Sequence, residues 1–271
     1  MAFDRAAFFA AVRTKFGPLN QKQVDGFGTL LNVWSARYSM RTPIGQFAYV
    51  LATAWHETAR TMQPIAEIGN TAYFVKMYDV QGARASLARS MGNTSPGDGP
   101  RYRGRGYVQL TWKSNYAKAT DKLRALGVLT AGESLVTSPE LAMMPTVAAA
   151  ILFEGMEGGW FTGRDLDETI VGEPEYAEYV AARRIINGTD RADLIAGYAK
   201  TFLAALNAGA RAADAPAVAV AKPAPAPLPR PDTTPVAPPP VAPAPKPAAQ
   251  PAPAPADARG FWRRLIDSLF G

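Results

Sequence analysis

Residues 42–60 read TPIGQFAYVLATAWHETAR, and this stretch decides the fold class. Thr42 and Pro43 supply an N-cap and a first-turn proline. Ile44, Phe47, Ala48, Leu51, Ala54, Trp55 and Thr58 then recur at helical spacing, which predicts a helix running to about Arg60. At about 100° per residue, Glu57 falls about 120° from Leu51, on the flank of that apolar stripe. A carboxyl there is expected at the lip between core and solvent. Partial burial raises its pKa and keeps it protonated, as a general acid needs. Taken alone the position is weak evidence, because a glutamate near a helix end is more often a solvated surface residue.

Outward from this stretch, helix signals dominate as far as residue 211. Phe3, Ala7, Phe8, Ala11, Val12 and Phe16 mark an amphipathic first helix. Asn20 and Gln23 form a capping box ahead of a helix over 24–38. Ser138-Pro139 is another start signal, with a buried apolar segment at 147–153. Asp190 is expected to cap a last long helix carrying Leu194, Tyr198, Phe202 and Leu206. Between Tyr73 and Gly106 helix signals weaken, 92–106 reads as a glycine-rich polar loop, and short β segments fit 108–111. The prediction is a mainly α domain over 1–211.

Beyond it, composition shifts to Ala, Pro and Val over 212–258, a segment that cannot pack a core. It is expected to be a disordered, polyproline-rich tether with a reach on the order of 140 Å. Over 259–271, Phe261, Trp262, Leu265, Ile266, Leu269 and Phe270 share one helical face opposite Arg263, Arg264, Asp267 and Ser268. That pattern fits a short amphipathic helix contacting an anionic membrane interface; packing on the domain or docking to a partner are the alternatives.

Bulk composition excludes several classes. The 271 residues contain no cysteine and one histidine, His56, so neither a disulfide framework nor a thiolate metal site exists. His56-Glu57 begins like the zinc motif HExxH, but Arg60 stands where the second histidine belongs. No metal or cofactor is expected. A Ser-His-Asp hydrolase is only formally possible. The net charge of +6 favours polyanions such as nucleic acid, acidic lipid or an anionic cell wall without choosing among them. The first residues lack the apolar core of a signal peptide and no run is long enough to span a bilayer. The expected location is the cytoplasm of the producing cell, with action in the periplasm or wall after release.

Glu67 is the second candidate. Pro64 pushes Gln63 toward an extended conformation, which lets the chain turn and face Glu67 toward Glu57 across a gap. Carboxyls roughly 6.5–9.5 Å apart suit an inverting glycosidase, which needs room for a water; Asp79 is the fallback base. Residues 102–116 form the third element, YRGRGYVQLTWKSNY. Gln109, Thr111 and Asn115 offer uncharged hydrogen bonds suited to sugar hydroxyls and acetamides. Tyr102, Tyr107, Trp112 and Tyr116 offer aromatic faces for sugar rings. The RGRG core also suggests RNA binding, but such segments are long and repetitive, whereas this one runs into an apolar, ordered stretch.

The combination of His56-Glu57-Thr58 with Tyr102-Arg-Gly-Arg-Gly-Tyr-Val-Gln-Leu-Thr-Trp and Asn115-Tyr116 resembles glycoside hydrolase family 19, which holds plant-type chitinases and bacteriophage endolysins. Residues 183–188, RRIING, resemble that family's later substrate-lining segment. The resemblance spans roughly residues 3–208. It implies a lysozyme-like, two-lobed domain with a substrate cleft and an inverting mechanism. By the resemblance, Glu57 matches the general acid, Glu67 the base and Thr111 the residue that helps hold the nucleophilic water. Gln109, Asn115 and Asn187 match sugar-contacting positions, as do Tyr102 and Arg184. The missing cysteines, the short spacing to Glu67 and the replacement of an aromatic-rich segment by Ala150-Ile151-Leu152-Phe153-Glu154 lean toward the endolysin branch. The leading expectation is a monomeric peptidoglycan glycosidase with no nucleic-acid partner. A chitinase and a catalytically inactive wall-binding module are the competing readings.

Overall fold

The computed structural model describes residues 3–214. The chain is mainly α-helical. Helix α1 (Arg5–Phe16) is capped by the Asp4 side chain, which accepts from the Ala7 amide. Helix α2 (Gln21–Val33) opens with the reciprocal Asn20–Gln23 capping box that the sequence indicates. It runs into a single π-helical stretch, Trp34–Tyr38, whose rings stack on the core: Trp34 on Phe47 and Tyr38 on Phe153.

Helix α3 (Ile44–Glu57) is the central element. Its start departs from expectation, because Thr42 does not cap it. The Thr42 hydroxyl is buried and donates instead to Glu157. Its end departs too, stopping at Glu57 rather than near Arg60. The Ala59 amide bonds the His56 carbonyl and the Arg60 amide reaches back to Trp55, the paired bonds of a Schellman stop. Nearly every face of α3 is buried, far more than the stripe read from its sequence.

Strand β1 (Ile65–Ala66) follows, then α4 (Thr71–Tyr78), α5 (Ala85–Ser90) and α6 (Asp98–Arg101), so the stretch expected to be poor in helix contains three short ones. Strand β2 (Arg105–Gly106) pairs antiparallel with β1, Ile65 opposite Gly106, and Arg105 also bridges Leu110. Helix α7 (Lys113–Ala125) leads to a 3-10 turn at Pro139–Met143 and to α8 (Pro145–Glu157), whose 147–153 segment is fully buried as expected. Helices α9 (Leu166–Thr169) and α10 (Tyr176–Ala181) precede a 3-10 turn, Ala182–Ile185.

Helix α11 (Ala192–Asp214) packs along α3, α1 and α10. It begins beyond Asp190, whose carbonyl accepts from Arg183 Nε instead of the side chain capping the helix. Leu194 is exposed, while Tyr198, Phe202 and Leu206 line the core. The helix continues past residue 211. The remainder of the tether at 212–258 and the amphipathic helix at 259–271 lie outside the described residues. Among the described residues, no helix is long and apolar enough to cross a membrane.

Two apolar clusters result among the described residues. The larger runs through α1, α2, α3, α8 and α11, where each buried Phe or Leu contributes about 1.5–3 kcal/mol. The smaller joins Phe74, Tyr78, Ala88 and Trp112.

Candidate active site

Glu57 ends α3 and is 1% exposed, so the solvent-facing flank expected for it does not exist. Helix α11 and the turn after α10 close over this part of α3. That turn carries Arg183, also fully buried, whose Nη1 donates to Glu57 Oε1 at 2.7 Å. Burial pushes the Glu57 carboxyl up, against the opposing pull of the Arg183 charge and hydrogen bond, while Asp190 adds to the rise. The neighbouring His56 is driven down to about 3, first by burial and then by Arg183, Arg191 and Arg60. It is therefore neutral at ordinary pH and does not act as an imidazolium acid.

The chain reverses immediately after Glu57. Ala59, Arg60 and Met62 adopt φ of 50, 67 and 55°, the left-handed region that costs a non-glycine residue about 1–2 kcal/mol. Thr58 holds the turn, its hydroxyl donating to the Ala54 carbonyl and accepting from the Met62 amide. This knot, rather than Pro64 alone, brings the chain back to β1 and Glu67.

Glu67 sits at the edge of the smaller cluster. Its Oε1 accepts from the hydroxyls of Tyr78 at 2.8 Å and Tyr73 at 3.2 Å, and its Oε2 accepts from the Gly104 amide at 3.1 Å. Burial raises this carboxyl as well, opposed by Tyr78, the Gly104 amide, Tyr73 and the charge of Arg103.

Beside it, Gln109 stands at φ 54° with Nε2 donating to the carbonyls of Ile65 and Gly106. Its Oε1 is buried and has no partner among the described residues. The Thr111 hydroxyl donates to the Gln109 carbonyl at 2.7 Å, and Asn115 Nδ2 donates to the Thr111 carbonyl at 2.9 Å. Sequence reasoning grouped Gln109, Thr111 and Asn115 and set Glu67 apart; hydrogen bonds link the first three, and Gly104 lies against both Gln109 and Glu67.

Other expectations change. Tyr102, Tyr107, Trp112 and Tyr116 are all at most 2% exposed, so none presents a face to a sugar ring. Their rings fill the core, and the Tyr102 hydroxyl is held by the Val136 carbonyl. Arg105 of the RGRG run is spent inside the fold, donating to the carbonyls of Arg101 and Arg103 and to the Tyr116 hydroxyl. Asp79 is wholly buried and accepts from the amides of Gln81, Gly97 and Gly99, which makes it a loop clamp.

Arg184 points outward into a surface cavity of about 410 Å³ lined by Arg164, Glu168 and Glu178 and by neither glutamate of the site. Asn187 is buried, its Oδ1 accepting from the Gly188 amide. The residue that sequence reasoning missed is Arg183, the neighbour of the one it chose. The available signal was physical: a carboxylate on so apolar a helix needs a buried cation.

No protein-family model matches the chain, and no curated protein matches it. Among solved structures, chitinase C from Streptomyces griseus HUT6037 is 22% identical over 76% of each chain, with a TM-score of 0.48. A chitinase C mutant is 19% identical over the same shares, with a TM-score of 0.47.

Proposed function

We propose that the chain is an endolysin-type glycoside hydrolase that cuts β-1,4 bonds of bacterial peptidoglycan by an inverting acid/base mechanism. The observation that carries this reading is the contrast between two buried carboxyls at either end of one strained turn. Burial raises both carboxyls, but Glu57 is opposed by the charge and hydrogen bond of one guanidinium, Arg183, whereas Glu67 is opposed by two phenols, one amide and the charge of Arg103. Pairs of carboxyls in environments this different suit division into acid and base. Glu57 gives its proton to the glycosidic oxygen, and Arg183 neutralises the carboxylate left behind. Glu67 takes a proton from the attacking water, which Thr111 helps hold. Asn115, which is half-buried, contacts the sugar, and Gln109 braces the site through the Ile65 and Gly106 carbonyls.

Residues 150–153 are buried core in α8, so the leaning toward a wall glycan over chitin rests on sequence. Glycan strands are the proposed partner, with residues 259–271 proposed, from sequence, to touch anionic membrane.

Product analysis by mass spectrometry tests the reading, using wild type and Glu57→Gln on purified peptidoglycan and on chitin hexamer. Glycan fragments released from peptidoglycan by wild type alone are expected, and full activity in Glu57→Gln sinks the assignment. Turnover of the hexamer alone moves the substrate to chitin. Retention on walls with no product from either makes the chain a binding module.

A further inference from the structure

Helix α3 carries a polar seam through its apolar length. Tyr49, Thr53 and Glu57 lie four residues apart and therefore on one face, and both hydroxyl residues are at most 1% exposed. Tyr49 feels the charges of Arg183 and Glu57, and its hydroxyl approaches Thr53 closely enough for a side-chain hydrogen bond to oppose the rise that burial gives it. Yet all three groups are buried: among the described residues Arg183 Nη2 has no partner, and the Tyr49 hydroxyl and Thr53 Oγ1 have none at full hydrogen-bond geometry beyond their approach to each other. Orphaned polar atoms of this kind are rare in folded proteins, and a group of them is the setting in which a buried water is retained.

We propose that Tyr49 and Thr53 are positioning residues for Glu57, acting through one buried water that joins both hydroxyls to Nη2 of Arg183. The inference rests on the reading of Glu57 as the acid. Arg183 already gives Nη1 to Glu57 and Nε to the Asp190 carbonyl. A water accepting from Nη2 fixes the last free edge of the guanidinium and keeps its charge aimed at Glu57 Oε1. The charged groups facing Glu57 are Arg183, from the 3-10 turn, and Asp190, from the loop ahead of α11. His56, beside it on α3, is faced by Arg183, Arg191 and Arg60.

Tyr49→Phe and Thr53→Val, singly and together, remove the hydroxyls with little change of shape. The Glu57 carboxyl is followed by 13C NMR titration, assigned through its loss in Glu57→Gln, alongside thermal melting and turnover against pH. With the guanidinium loosened, its pull on Glu57 weakens. The titration midpoint is expected to move upward, with the turnover profile following and turnover at the wild-type optimum falling about tenfold. Should the double variant fail to fold, each single variant is expected to move the midpoint the same way by less.

An unchanged Glu57 midpoint in folded variants overturns the proposal. So does a high-resolution crystal structure with the two hydroxyls bonded directly and no solvent at Nη2. A midpoint that moves in a protein without glycosidase turnover overturns the hydrolase reading and leaves the link from Tyr49 and Thr53 to Glu57 standing.

Discussion

Arg183 and Glu57, 126 residues apart in sequence, form an ion pair in which neither side chain reaches solvent. A buried pair of this kind is weak evidence for net stability, because both charges have lost their hydration. Its value shows when one partner goes. Arg183→Ala leaves the ionised form of a buried carboxyl uncompensated and is expected to cost about 3–5 kcal/mol in urea unfolding above the pH at which Glu57 ionises. Adding Glu57→Gln should recover much of that loss. Additive losses in the double-mutant cycle would show that the pair is not coupled.

The acid limb of the stability curve should belong largely to His56. Its folded pKa is about 3 against an ordinary 6.5. Between those values the unfolded chain binds a proton that the folded chain refuses, so stability falls as pH drops through this window. Glu57 and Glu67 run the other way. Their folded carboxyls are raised by burial, so their contribution is fully present at low pH and is lost as pH rises through their folded pKa values. His56→Gln is therefore expected to flatten the acid limb of melting temperature against pH, and Glu67→Gln to lessen the loss on the rising side. Curves parallel to wild type would refute both assignments.

Asp79 and Glu67 are separable as candidates for the base. Asp79 accepts three backbone amides and Glu67 two phenols and one amide. Asp79→Ala strands the Gln81, Gly97 and Gly99 amides, at about 1–3 kcal/mol for each that stays dry. The milder Asp79→Asn keeps one acceptor oxygen, and turnover per folded molecule should survive it. Glu67→Gln should keep the fold and lose turnover. The opposite pattern, assayed on purified wall glycan with folding followed by circular dichroism, would hand the role of base to Asp79.

The legible part of this molecule was local. The Asn20–Gln23 box, the buried 147–153 segment and the helical character of 44–57 follow from side chains acting on their own backbone. Glu57, Glu67, Gln109, Thr111 and Asn115 were singled out by residue type and spacing, and their roles are proposals. What was not legible depended on distant neighbours. Periodicity gave α3 one apolar stripe, but α11 and the Ala182–Ile185 turn cover its remaining faces, turning a rim glutamate into a buried one. The same turn decides that Arg183 points inward and Arg184 outward, a choice that two adjacent arginines do not reveal. The aromatics of 102–116 read as sugar platforms because composition cannot separate a ring on a surface from a ring in a core.

Gly104 offers the sharpest test of how tightly the site is built. A methyl added there would lie 2.7 Å from Gln109 Oε1 and 3.2 Å from both Gln109 Cβ and Glu67 Oε2. Gln109 has little room to yield, since its Nε2 is tied to two carbonyls and its backbone is already left-handed. Glu67 is clamped by Tyr73 and Tyr78. Gly104→Ala should therefore displace the carboxylate, lowering turnover about 100-fold, with overpacking costing about 1–3 kcal/mol in stability. Gly28→Ala is the control, because its added methyl meets nothing within 4 Å. Within α2 it should raise stability by about 0.5–1 kcal/mol and leave turnover unchanged. Wild-type turnover in Gly104→Ala would mean that the position of the Glu67 carboxylate does not govern the reaction.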